Sequence, residues 1–322
     1  MIMHRRRFLS LAAASPLAAT LPGPVAAQDP LAVVATTGMI ADTARQVGGA
    51  AVSVRGLMGP GVDPHSYRQT RTDIVAMTRA DLVLAHGLYL EAQMEEFLHD
   101  LGRRRSVVPV AESIPRERLR AHAEYADKFD PHVWMDPGLW TTVVDAVRDA
   151  LAAARPDAAP TFADGATALN HTLAQLDTYA REVIGSVPAD RRVLVTAHDA
   201  FAYFGRAYGL DVLGIQGIST ESEAGLARIR ELVDTLVARR IGAVFVETSV
   251  SDRNMRALIE GAAAQGHEVK IGGELYSDAM GEPGTYEGTY PGMIDHNVTT
   301  IASALGGTVP PRGMAGQLRG AT

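Results

Sequence analysis

Three histidines and one aspartate stand where this chain could do chemistry. His65 lies in Gly61-Val62-Asp63-Pro64-His65-Ser66-Tyr67, after the second strand-like run, and His132 lies in Asp130-Pro131-His132-Val133-Trp134-Met135-Asp136-Pro137, ahead of a helix. His198 directly follows the run Val193 to Thr196, and Asp278 sits in the Gly273 to Gly281 loop beyond the last strand-like run. Ligands of open parallel α/β sheets collect at the carboxyl ends of strands, and each of these residues lies just beyond a strand or in a loop shaped by glycine and proline. Three neutral imidazoles and one carboxylate form a four-donor set suited to Zn²⁺ and acceptable to Mn²⁺. No position is left open for a reacting water, which favours binding over hydrolysis. Free imidazole titrates near 6.5, so such a site is expected to lose affinity below about pH 6.

The other histidines read differently. His86 ends a strand beside a turn and is expected to be structural, and His296 sits inside a helical pattern. His99, His171 and His267 read as surface residues. His122, in a charged, strand-poor loop from Ser113 to Asp130, is a candidate for assisting metal entry. Asp63 and Asp199 are candidates to orient the ligand rings, and Trp134 and Tyr276 to shield the site.

The elements that must position these groups follow from the hydrophobic pattern. β-rich runs at 31–36, 52–58, 81–85 and 107–110 alternate with helical patterns at 40–47 and 70–79. The second half repeats the rhythm, with strands at 193–196, 212–215, 243–246 and 269–271 and helices at 201–208, 224–239 and 253–264. This βα alternation predicts α/β lobes with parallel sheets flanked by helices. Between them, Leu169, Leu173, Leu176, Tyr179 and Val183 recur at three- and four-residue spacing, which predicts one long rigid amphipathic helix. The expected plan is an N-terminal lobe over 28–154, a connecting helix over 155–188, a C-terminal lobe over 189–309 and a flexible tail over 310–322. Two candidate ligands then come from each lobe and would meet in the cleft.

Residues 1–27 read as a signal peptide: Arg5-Arg6-Arg7, Phe8-Leu9, an Ala/Leu stretch and the small-residue end Val25-Ala26-Ala27. The Arg-Arg-x-Phe-Leu pattern resembles a twin-arginine signal, with a Sec signal as the alternative. No later stretch reaches the roughly 20 apolar residues of a membrane span, so the mature chain is expected to be soluble and periplasmic. There is no cysteine, which rules out disulfides, thiolate ligands and a lipid-modified Cys. A net charge of −7 without a basic stripe argues against nucleic acid.

The segments GVDPHSY, DPHVWMDP, VTAHDAFAYFGRAYGL, GISTESEAG and GELYSDAMG, in this order, resemble the zinc/manganese solute-binding proteins of ABC importers, the TroA-like or ZnuA-like family. The resemblance covers essentially the whole mature chain. It implies two α/β lobes joined by one rigid helix, a metal held by His65, His132, His198 and Asp278, and a monomer that serves a membrane permease and its cytoplasmic ATPase. It implies transport of one Zn²⁺ or Mn²⁺ per chain and no enzymatic activity. Two features depart from the subgroups: no His-rich loop precedes DPHVW, and His198 stands where many manganese-dedicated members have Glu. The imidazole content favours zinc. Two alternatives carry other expectations. A secreted zinc hydrolase would need a general base such as Glu221, Glu223 or Glu274, but neither HExxH nor GxSxG is present. A metal-binding surface adhesin would lack its lipid anchor here.

Overall fold

The computed structural model describes residues 29–122 and 125–319, so the signal peptide read at 1–27 lies outside the described residues. The first lobe runs β1 (Leu31–Ala35), α1 (Gly38–Gly48), β2 (Val52–Gly56), α2 (Arg71–Arg79), β3 (Leu82–Ala85), α3 (Glu95–Gly102) and β4 (Val107–Pro109). Its four strands pair in parallel in the order β2-β1-β3-β4. The central strand β3 (LVLA) is buried along its whole length, whereas the edge strand β2 alternates partly buried and exposed residues. That contrast is what helices on both faces of a parallel sheet impose. Thr70 starts α2 with a capping box closed by Asp73. The short helix α3 falls where no helix is expected from the pattern.

α4 (Pro137–Ala154) begins where the Asp136 side chain accepts the Gly138 and Leu139 N–H groups, with Pro137 in the first turn. α5 (Ala159–Gly185) follows as an uninterrupted 27-residue helix, about 40 Å long at 1.5 Å per residue. Its buried stripe includes Phe162, Leu169, Leu173, Leu176, Val183 and Ile184, and it packs on α1 and α4 of one lobe and on the last helix of the other. Gly165 brings α5 against α1: a Cβ there would lie 2.3 Å from the Val47 carbonyl oxygen. Alanine normally gains about 1 kcal/mol over glycine inside a helix, but backbone cannot yield to it here. Gly165→Ala is therefore expected to lower stability by about 1–3 kcal/mol, read as a lower urea midpoint at unchanged slope.

The second lobe runs β5 (Val193–Thr196), α6 (Ala202–Tyr208), β6 (Asp211–Gly214), α7 (Leu226–Arg239), β7 (Ala243–Glu247), α8 (Arg253–Ala264), β8 (Lys270–Leu275) and α9 (Tyr290–Ala304). Its strands form two parallel ladders, β5-β6 and β7-β8, with β5 lying beside β7. A single apolar cluster runs through both lobes, joining Leu84, Trp140, Leu173, Phe204, Phe245 and Ile294. Each lobe adds a smaller cluster of its own, around Val83 in the first and Val244 in the second. Shared packing of this kind limits how far the lobes can rotate apart. Among the described residues no helix is long and apolar enough to cross a membrane.

The end of the chain differs from the flexible tail expected over 310–322. Leu318 is buried, Met314 N–H donates to both Asp295 oxygens at 2.9 Å, and Arg319 N–H donates to Glu287 Oε1 at 3.0 Å. Gly313 has φ +76°, and a Cβ there would lie 2.5 Å from Asp295 Oδ1. Glycine and proline in this segment form a tight strap over α9 rather than a loose end. Residues 320–322 lie outside the described residues.

Candidate metal centre

The four residues singled out by type and position come together. One donor atom from each of His65, His132, His198 and Asp278 lies within 4.8 Å of every other, and all four residues are buried. His65 Nε2 stands 3.2 Å from His132 Nε2, His132 Nε2 is 3.5 Å from Asp278 Oδ1, and His198 Nε2 is 3.1 Å from Asp278 Oδ2. A tetrahedron with metal–donor bonds near 2.0–2.1 Å has edges of about 3.3 Å. The three close pairs lie near that length and the remaining donor pairs within 4.8 Å, so the four side chains surround a space that one cation could draw together. His198 Nε2 and both Asp278 oxygens have no hydrogen-bond partner; the 3.1 Å approach of His198 to Asp278 is a close ionic contact without hydrogen-bond geometry. Leaving three such atoms buried and unpaired is costly. A divalent cation at their centre would satisfy them together.

Each donor is held by local structure. His65 lies in the turn after β2, where Asp63 Oδ1 accepts its backbone N–H at 2.9 Å. His132 opens a single 3₁₀ turn, Val133–Met135, that leads into α4. Asp130 Oδ1 accepts both its backbone N–H (3.0 Å) and ring Nδ1–H (2.7 Å). His198 follows β5, and Glu247 at the end of β7 accepts its backbone N–H (3.0 Å) and its Nδ1–H (2.5 Å). Asp278 follows β8, next to Ser277, whose carbonyl accepts the Trp134 indole N–H at 2.8 Å. With Nδ1–H committed to a carboxylate, His132 and His198 each turn Nε2 toward the shared space.

Burial disfavours the charged imidazole at His132, but the hydrogen bond to Asp130 and the nearby charges of Asp130 and Asp278 outweigh it and raise the pKa to about 9. At His198 burial again opposes the charge, and Asp278 and Glu247 lift the pKa well above the usual value. Burial would keep Asp278 protonated, yet His198 and His132 hold its pKa well below the carboxylate range. His65, by contrast, is pushed down to about 3 by burial, so it stays neutral. Without metal at pH 7 the cluster is thus two imidazolium groups around a carboxylate, with a neutral third ring.

Of the expected ring partners, Asp63 holds the His65 backbone rather than its ring, and Asp199 is not among the groups bonded to a ligand ring. The ring partners are Asp130 and Glu247. Asp130 had a visible signal, since Asp-Pro-His occurs twice in the chain. Glu247 ends β7, as His198 follows β5 and Asp278 follows β8. Glu247→Gln keeps the shape but removes the charge that makes His198 a strong donor, and is expected to weaken metal binding by about 10–100-fold, measured by chelator competition.

Trp134 packs on His132 with ring centroids 5.1 Å apart, while Tyr276 packs on His296 instead. His86 lies outside the cluster: its Nε2 bonds the Pro131 carbonyl at 2.8 Å and its ring packs between Trp134 and Trp140. His267 is half-buried, with Nε2 bonded to the Ile241 carbonyl, rather than a free surface residue. His122 accepts the Tyr125 N–H on Nδ1 and lines a narrow cavity that also touches His65 and Glu221. None of Glu221, Glu223 and Glu274 belongs to the four-residue cluster.

Two α/β lobes spanned by one long helix, with a buried three-histidine, one-aspartate cluster between them, define a solute-binding architecture. The chain matches the model of the periplasmic zinc-uptake complex component A family (ZnuA) over residues 33–304, and it belongs to that family. Among its relatives, the manganese-binding lipoprotein MntA of Bacillus subtilis is 49% identical over 279 residues, 87% of this chain and 91% of the relative. The zinc-binding protein TroA of Treponema pallidum is 48% identical over 273 residues, 85% and 88% of the two chains. The solved structure of the Treponema protein superposes with a TM-score of 0.84 at 47% identity, covering 86% of this chain and 99% of that one.

Proposed function

We propose that this protein is the periplasmic solute-binding component of a divalent-metal ABC importer. It captures one ion with His65, His132, His198 and Asp278 in the cleft between lobes at 28–154 and 189–309, and passes it, as a monomer, to a membrane permease with its ATPase. The observation that carries this reading is the buried set of three imidazole nitrogens and one carboxylate within 4.8 Å of one another, with orphaned polar atoms among them. Zn²⁺ is favoured over Mn²⁺ because imidazole suits the softer ion. Relatives of nearly equal identity are named for manganese and for zinc, so the donor set supplies that preference. The hydrolase alternative is weaker: the buried carboxylates beside the cluster, Asp130 and Glu247, are committed to histidine rings.

Elemental analysis of protein recovered from the periplasm, followed by competition of Zn²⁺ and Mn²⁺ for the metal-free protein, tests the proposal. One equivalent of bound transition metal and tighter zinc binding are expected. Recovery of metal-free protein that takes up neither ion would refute the function, and tighter manganese binding would refute the preference.

A further inference from the structure

The three histidines are not held alike. Asp130 grips His132, and Glu247 grips His198, each by backbone and ring together, and each pair lies within a single lobe. Movement of one lobe against the other leaves both grips intact. Among the described residues no carboxylate is hydrogen-bonded to the His65 ring, and its one ring hydrogen-bond contact is His132 Nε2. Its backbone depends on Asp63, and that carboxylate also crosses the cleft. While Asp63 Oδ1 accepts the His65 N–H, Oδ2 accepts the Ser66 hydroxyl at 2.9 Å and the hydroxyl of Thr220, from the other lobe, at 2.6 Å. One residue further, Glu221 accepts from Gln93 at 2.5 Å, so the 220–221 segment clasps the first lobe at two points. His65 also borders the narrow cavity of about 10 Å³ at the edge of the site, room for about one water.

We propose that Asp63 and Thr220 are positioning residues for His65, and that His65 is the first ligand to leave when the lobes part. Separation of the lobes breaks the Thr220–Asp63 bond and frees the turn that presents His65. His132 and His198 remain clamped, and Asp278 stays with the second lobe. The metal is thereby left with an open coordination position before it leaves the cleft. This inference rests on the metal-capture reading above.

The test is zinc dissociation from the full-length exported protein into excess chelator, followed by stopped flow. Thr220→Val should accelerate release on the order of tenfold, as loss of an outer-shell partner does, with association unchanged. Thr220→Ser keeps the hydroxyl and should release at the wild-type rate, which guards against a merely structural effect. In a double-mutant cycle, Thr220→Val should add nothing to His65→Ala, because the hydroxyl acts through that ligand. Wild-type release by Thr220→Val, fast release by Thr220→Ser, or additive acceleration in the double variant would each overturn the inference. Failure of the wild-type protein to bind zinc would instead remove the function on which it rests.

Discussion

Asp278→Ala is expected to lower divalent-metal affinity by more than about 100-fold, beyond the upper end of what losing an outer-shell partner costs. Asp278 is the one anionic donor in the set, and it faces two of the three imidazoles, His132 at 3.5 Å and His198 at 3.1 Å. Without it, a dication would be held by three neutral rings. The metal-free protein should tolerate the change better than the loaded one. Both Asp278 oxygens lack hydrogen-bond partners, so alanine orphans no donor, although the two imidazolium groups lose their central counter-charge. Chelator competition checks the affinity, and circular dichroism checks that the fold persists. Affinity within about fivefold of wild type would mean the ion sits elsewhere, since loss of a direct charge contact in a buried site costs more than that.

Metal binding at pH 7 should release about two protons, and affinity should keep rising to at least about pH 9, where His132 titrates, by up to about 100-fold per pH unit while both protons must be displaced. The sign follows from the charges: His132 titrates at about 9 and His198 well above its usual value, so both are protonated at neutral pH and must be stripped before Nε2 can bind. His65, at about 3, contributes no proton. Free imidazole alone places the loss of affinity below about pH 6; the buried carboxylates move it upward. The same shifts act on the metal-free fold in a defined window. The His132 contribution is complete below pH 6.5 and fades as pH rises through about 9, whereas that of Asp278 is present above pH 3.8 and is lost only in stronger acid. Calorimetric titration in buffers of different ionisation enthalpy counts the protons. A count near zero at pH 7 would contradict this picture.

The candidate donors are legible because histidine and aspartate at strand ends and loop turns follow a rule that depends only on local pattern. Their ring partners are not, because side-chain reach across the fold decides them. Asp63 and Asp130 sit in the same Asp-Pro-His context and bond the backbone two residues on in the same way, yet only Asp130 also reaches the ring. Glu247 lies 49 residues from His198 and meets it because β5 and β7 run side by side. The long helix α5 is visible as an apolar stripe. The division of the second lobe into two ladders depends on which strands pair, which periodicity does not encode. The ordered strap at 310–319 escapes composition for a similar reason, since its partner is the Asp295 carboxylate on α9.

The most direct test of the central claim is X-ray absorption on the zinc-loaded protein. Three imidazole nitrogens and one carboxylate oxygen at about 2.0–2.2 Å, with one imidazole lost in His65→Ala and the oxygen lost in Asp278→Ala, is the expected result. A first shell with fewer than three imidazoles, or one unchanged by either substitution, would place the metal outside the His65, His132, His198 and Asp278 cluster.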